Sequence, residues 1–156
     1  MRIVIGSLLA VGLGATAGGA MAGSGETRPD KDLARESYQI VTDPASLPGE
    51  VQASWAAALR QKQLDVAAAG GRYNSTDFGG GTRHRLIMAA VGPRYAVVYF
   101  ESGGFAVSRR AFVFSRAADA AALIWSGHPK DRYTEPKGFL SAIRNGKLWR
   151  ERKRAG

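Results

Sequence analysis

The residue types best suited to chemistry lie in the middle of the chain: His84, Tyr99, Glu101 and Ser108, with Arg109 and Arg110 just beyond. They sit on strand-like runs separated by Gly92-Pro93 and Gly103-Gly104. Each dipeptide can close a two-residue turn, since Gly accepts a positive φ and Pro supplies a fixed negative one. Two-residue turns set the register. With Val91 opposite Arg94, His84 faces Glu101, Leu86 faces Tyr99 and Met88 faces Val97. With Ser102 opposite Phe105, Glu101 faces Ala106, Tyr99 faces Ser108 and Val97 faces Arg110. One sheet face then has an apolar end (Met88, Ala90, Tyr95, Val97, Phe112, Phe114) and a polar end of His84, Glu101, Tyr99 and Ser108.

A carboxylate beside an imidazole raises the imidazole pKa and orients the ring, which is the geometry of an acid–base pair. The same two residues also make a cross-strand charge pair, worth a few tenths to about 1 kcal/mol. A slip of one residue in either turn separates them, because side chains alternate between faces with period two.

The other candidates are thinner. His128 lies in the turn Ser126-Gly127-His128-Pro129, and no third group there would orient it as a base for Ser126. Neither histidine stands at a zinc or calcium spacing, and the cysteine count of zero excludes thiolate metal sites, disulfides and cysteine nucleophiles. No metal or cofactor is expected. Gly79-Gly80-Gly81-Thr82-Arg83 could offer backbone N–H groups to an anion. It leads into a strand and lacks the lysine of a phosphate loop, so it reads as a hinge. Asn74-Ser75-Thr76 forms a glycosylation sequon that reads as chance unless the source is eukaryotic.

The basic residues carry a second set of expectations. Arg109 and Arg110 fall mid-strand on opposite faces: either they bind an anion, or their stems pack while the guanidinium groups reach water or a carboxylate. Arg150, Arg152, Lys153 and Arg154 follow Trp149 at the C-terminus. That tail could make weak contact with an anionic membrane surface or a phosphate polymer, or stand solvated. Nucleic acid is an unlikely partner for an exported chain.

These residues need a scaffold, and the pattern predicts an α+β domain. Val51, Trp55, Ala58 and Leu59 make one stripe of a helix over 48–62, opened by Pro48 and Glu50. Runs rich in Val, Ile, Phe, Tyr and Trp predict four antiparallel strands in a meander, over 83–91, 94–102, 105–115 and 121–126. A second helix starts near Pro136, buries Phe139, Ala142 and Ile143, and stops at Asn145-Gly146. Leu148 and Trp149 tuck back onto the body. The single domain is placed at 46–149, with a basic tail over 150–156 and a flexible leader over 23–45, within which the pattern of 32–41 is too poor to choose between a short helix and a strand. The segment between Leu64 and Gly81 lacks periodicity and is the best functional-loop candidate.

The N-terminus reads as an export signal. Arg2 precedes an uncharged run from Ile3 to Ala20, and Ala20-Met21-Ala22 suits a signal peptidase. Residues 1–22 are therefore expected as a cleavable signal peptide; the competing reading is a retained anchor. Ala is abundant and Arg outnumbers Lys 16 to 6, a bias of GC-rich bacterial genomes, so a periplasmic or secreted bacterial protein is expected. Of the formal charge of +9, the stretch from Arg144 to Arg154 holds six basic residues and one acid. The functional expectation is a non-catalytic binding domain for an envelope component or a protein partner. The alternative is a small periplasmic enzyme built on His84 and Glu101.

Overall fold

A computed structural model describes residues 31–149. The expected signal peptide and the tail residues Arg150, Arg152, Lys153 and Arg154 lie outside the described residues. Helix α1 (Lys31–Arg35) leads into strand β1 (Gln39–Val41), a 3-10 turn (Pro44–Ser46) and helix α2 (Gly49–Ala58). Strands β2 (His84–Val91), β3 (Tyr95–Ser102), β4 (Ser108–Ala117) and β5 (Ala120–Gly127) follow, then helix α3 (Pro136–Arg144). All five strands form one antiparallel sheet in the order β1-β2-β3-β4-β5. The fold is α+β.

Four strands were expected, and β1 is the fifth. It comes from the stretch expected as a flexible leader, of which residues 31–45 are structured instead. Leu33 of α1 is fully buried, and Glu36 accepts the backbone N–H of Arg94 at 2.6 Å, clasping the β2–β3 turn. Three-residue strands carry too little pattern to be read from sequence.

Helices cover both faces of the sheet. On one face Met88, Ala90, Val97, Tyr99, Ala111, Val113 and Trp125 pack against Leu33 of α1 and Phe139, Ala142 and Ile143 of α3. On the other, Leu86, Ala89, Ala96, Val98, Phe100, Phe112 and Phe114 pack against Leu47 and against Val51 and Trp55 of α2. This is why β3 has apolar residues on both sides: it is the central strand of a three-layer stack. Helix α2 ends sooner than its stripe suggests, because Arg60 takes a left-handed φ of 58° just past Leu59. Helix α3 stops where expected, with Gly146 at φ 63° returning the chain so that Leu148 is buried.

Three departures from ideal hairpins decide what faces what. The β2–β3 turn has Pro93-Arg94 at its tip, with the Gly92 N–H donating to the Tyr95 carbonyl. That shift of two preserves the faces. Ile87 is then an extra residue between Leu86 and Met88, so the register changes by one below it. This bulge lies where β2 changes edge partner, from β1 at Ala89 to a parallel bridge between Ala67 and Arg85. Finally, the β3–β4 connection spans five residues rather than two, since Ser102 pairs with Ser108. An odd shift turns β4 over, placing Phe112 and Phe114 on the α2 face.

Candidate functional site

Below the Ile87 bulge, Arg85 rather than His84 stands opposite Glu101, and the turned-over β4 brings Arg109 to its other side. The expected acid–base pair therefore does not form. Glu101 and Tyr99 lie on the α3 face, whereas His84, Ser102, Ser108 and Arg110 belong to the α2 face. The expected polar end is divided between two surfaces.

What the sheet builds instead is a cationic cleft around one buried carboxylate. Glu101 is only 7% exposed. Its Oε2 accepts from Arg85 Nη2 at 2.6 Å and from the Tyr73 hydroxyl at 3.2 Å, while Oε1 accepts from Arg109 Nη2 at 3.0 Å. Arg85 is further held by the Gly71 carbonyl at 3.2 Å and by the Tyr73 ring, 4.6 Å below its guanidinium carbon. Burial alone would raise the Glu101 pKa, but the hydrogen bonds and charges of Arg85, with Tyr73 and Arg109, hold it below the ordinary carboxylate value. Glu101 is thus an ionised anchor and not a proton donor at neutral pH.

Above this pair of ion bonds opens a cleft of about 250 Å³, lined chiefly by Arg85, Glu101, Arg109, Arg132 and Tyr133, with Ala69, Gly70, Leu86, Ile87 and Thr134 completing it. Three cationic side chains face one carboxylate, a surplus of two positive charges. The segment after β5 supplies the far wall. Tyr133 is buried there between Tyr99 and Phe139, its ring centroid 5.7 Å from the first and 6.0 Å from the second. Its hydroxyl has no hydrogen-bond partner among the described residues. Arg132, its exposed neighbour in the chain, lines the cleft beside it.

On the other face His84 Nδ1 lies 2.9 Å from the Ser102 hydroxyl, and its ring packs edge-on to Phe100. Burial lowers the His84 pKa, as do Arg110 and Arg83, against a smaller opposing effect of Asp65. The consequence for stability has a definite sign. Above the unfolded value of about 6.5 the ring is neutral in both states and stability is full; below it the unfolded chain takes up the proton first, and stability falls. Urea melts at pH 7 and pH 5 should show a larger loss for the wild type than for His84→Gln.

The remaining candidates sit apart. The Arg110 guanidinium carbon lies over the Phe112 ring, 4.9 Å from its centre. His128 Nδ1 contacts the Arg109 carbonyl at 3.0 Å and is exposed. The Asn74 side chain is occupied within its own loop, donating to the Phe78 and Gly80 carbonyls and accepting from Thr76. Thr82 bonds Asp65 at 2.5 Å, and Arg83 donates to the Asp77 carbonyl. Among the described residues no three His, Asp or Glu converge as a metal-ligand set, and no helix is long and apolar enough to cross a membrane.

Sequence reasoning missed Arg85, Arg132 and Tyr133, and reached Tyr73 only as part of the functional-loop candidate between Leu64 and Gly81. Arg85 was hidden by the bulge. Tyr133 left a usable trace, a lone aromatic in the polar stretch between β5 and α3. The chain matches no protein-family model, no curated protein and no solved structure.

Proposed function

We propose that this is an exported, periplasmic or secreted, non-catalytic binding domain whose cleft takes a carboxylate or phosphate group presented by an envelope component. The observation carrying the reading is the uneven charge of the cleft. One buried glutamate holds Arg85 and Arg109 in place, leaving N–H donors and a surplus of two positive charges at a concave surface. Arginine's planar fork suits two-point recognition of such anions, and the guanidinium groups are already ordered before a ligand arrives.

The cleanest test uses Arg132, which stands exposed and outside the Glu101 network. Titration with inorganic phosphate, followed by calorimetry, should show binding that weakens with added chloride. Arg132→Gln should weaken it about tenfold while stability moves by less than about 0.5 kcal/mol. Undetectable phosphate binding, or binding indifferent to Arg132, would overturn the proposal.

The enzyme alternative now rests on His84 and Ser102 in place of His84 and Glu101. A neutral imidazole 2.9 Å from a hydroxyl is the observation in its favour. Against it, Ser102 is buried and no carboxylate bonds the other ring nitrogen among the described residues. Ester hydrolysis abolished by Ser102→Ala would favour this reading over the first.

A further inference from the structure

At the end of the sheet that carries the cleft, two phenylalanines stand in solvent. Phe78 is 86% exposed and Phe105 fully so, and Val107 beside Phe105 is 45% exposed. They come from different loops that are locked together. The Gly104 N–H donates to the Ser75 carbonyl at 3.2 Å, and the Gly103 N–H to the Arg83 carbonyl at 2.8 Å. Gly103 packs so closely on the backbone of Asn74 and Ser75 that any side chain there would collide with it. The Phe78 turn is itself braced, since its carbonyl accepts from both Asn74 Nδ2 at 2.9 Å and Thr76 Oγ1 at 3.1 Å. The fold therefore spends ordered polar contacts on holding apolar rings outward.

Charge accompanies them. Along 72–83 and 103–110 the formal charges are those of Arg72, Arg83, Arg109 and Arg110 against Asp77, and with Arg109 paired to Glu101 three arginines remain. Rings projecting from loop tips, with cationic flanks behind them, match a surface that is apolar within and anionic at its boundary. A protein partner of the same charge complementarity would need a cavity for each ring, whereas a bilayer receives separate tips without shape matching.

We propose that Phe78 and Phe105 form a membrane-contact tip that inserts between the headgroups of an anionic bilayer, with Arg72, Arg83 and Arg110 facing the lipid phosphates. This surface is independent of whether the Arg85–Arg109–Arg132 cleft binds its anion.

The absence of native cysteine makes the test local. Phe78→Cys and Phe105→Cys, each in the full chain and carrying an environment-sensitive fluorophore, would be mixed with phosphatidylglycerol/phosphatidylethanolamine vesicles. Asp119→Cys, in the β4–β5 turn at the opposite end of β4, serves as the reference. Both tip labels should blue-shift and be quenched by lipids bearing a shallow acyl-chain quencher, and the Asp119 label should not. The shift should vanish with purely zwitterionic lipids. The double variant Phe78→Ser/Phe105→Ser should lose the local insertion, read from a label at Val107→Cys, even if the N-terminal segment or the tail keeps the chain on the vesicle. Tip labels that stay water-exposed on vesicle-bound protein, or a failure of the chain to bind anionic vesicles, would overturn the proposal. So would tip labels that respond equally to zwitterionic vesicles. Because the cleft is tested with inorganic phosphate and Arg132→Gln, each proposal can fail alone.

Discussion

Glu101→Gln should lower stability by about 3 kcal/mol and, at the same time, strengthen anion binding in the cleft. Among the described residues the Glu101 carboxylate is the one acid that bonds Arg85 and Arg109, and Gln is the same size but neutral. Both arginines then remain beside a polar group that cannot compensate them. Breaking a buried pair from one side typically costs about 3–5 kcal/mol, and the partial exposure of the two arginines sets the lower end. The pH profile should change too. Because the folded pKa of Glu101 lies below its unfolded value of about 4.3, its contribution is complete above that value and is lost as pH falls through the folded pKa. Below pH 4 the wild type should therefore lose stability that Glu101→Gln has already lost. Added phosphate should raise the melting temperature of the variant more than that of the wild type, since the anion replaces the missing charge. A variant as stable as the wild type, with no extra response to phosphate, would mean that the arginines do not depend on Glu101.

Phe100→Ala should be the most damaging apolar substitution, at about 4 kcal/mol. The ring is fully buried at the centre of the α2 face, 5.2 Å from the Trp55 ring and 5.0 Å from that of Phe112. Close packing leaves the neighbours little room to collapse into the space, so a cavity term adds to the lost transfer energy. A typical domain has about 5–15 kcal/mol in all, so the loss should appear as a large fall in the urea midpoint. His84 gives a second readout. With the ring beside it gone and water admitted, its pKa should return upward toward the ordinary value, visible by NMR titration. The cleft lies on the opposite face of the sheet, and phosphate affinity should stay within about twofold wherever the variant is folded. A small effect on stability would show that the α2 layer contributes little.

These two residues are adjacent in β3 and act in separate layers, which is the alternation a strand imposes. That much was legible. The pattern of apolar residues located β2–β5, the stripe of Val51 and Trp55 located α2, and Pro136 with Gly146 bounded α3. The candidate site was less so. Glu101 and Arg109 were singled out, but Glu101 was assigned His84 as its partner, and the carboxylate that the Arg109 guanidinium could reach was not identified. One extra residue at Ile87 and a five-residue β3–β4 loop were enough to exchange His84 for Arg85 and Arg110 for Arg109. Neither departure has a local sequence cost that would reveal it: Ile suits a strand, and Gly103-Gly104 suits a tight turn as well as a longer one. The longer loop is explained only by the 72–81 segment lying against Gly103, a contact between residues far apart in the chain.

By itself, then, the sequence determined the class of fold, the main elements and their buried stripes, because periodicity and capping are local and period two and period 3.6 are distinguishable over eight or more residues. Tertiary structure alone decided the partners of Glu101, Arg85 and Arg109. An ion pair depends on register to the single residue, and register is set by bulges, edge partners and loops that meet across the sheet. The same physics that made the strands easy to find, the strict alternation of faces, made their polar ends unreadable without the fold.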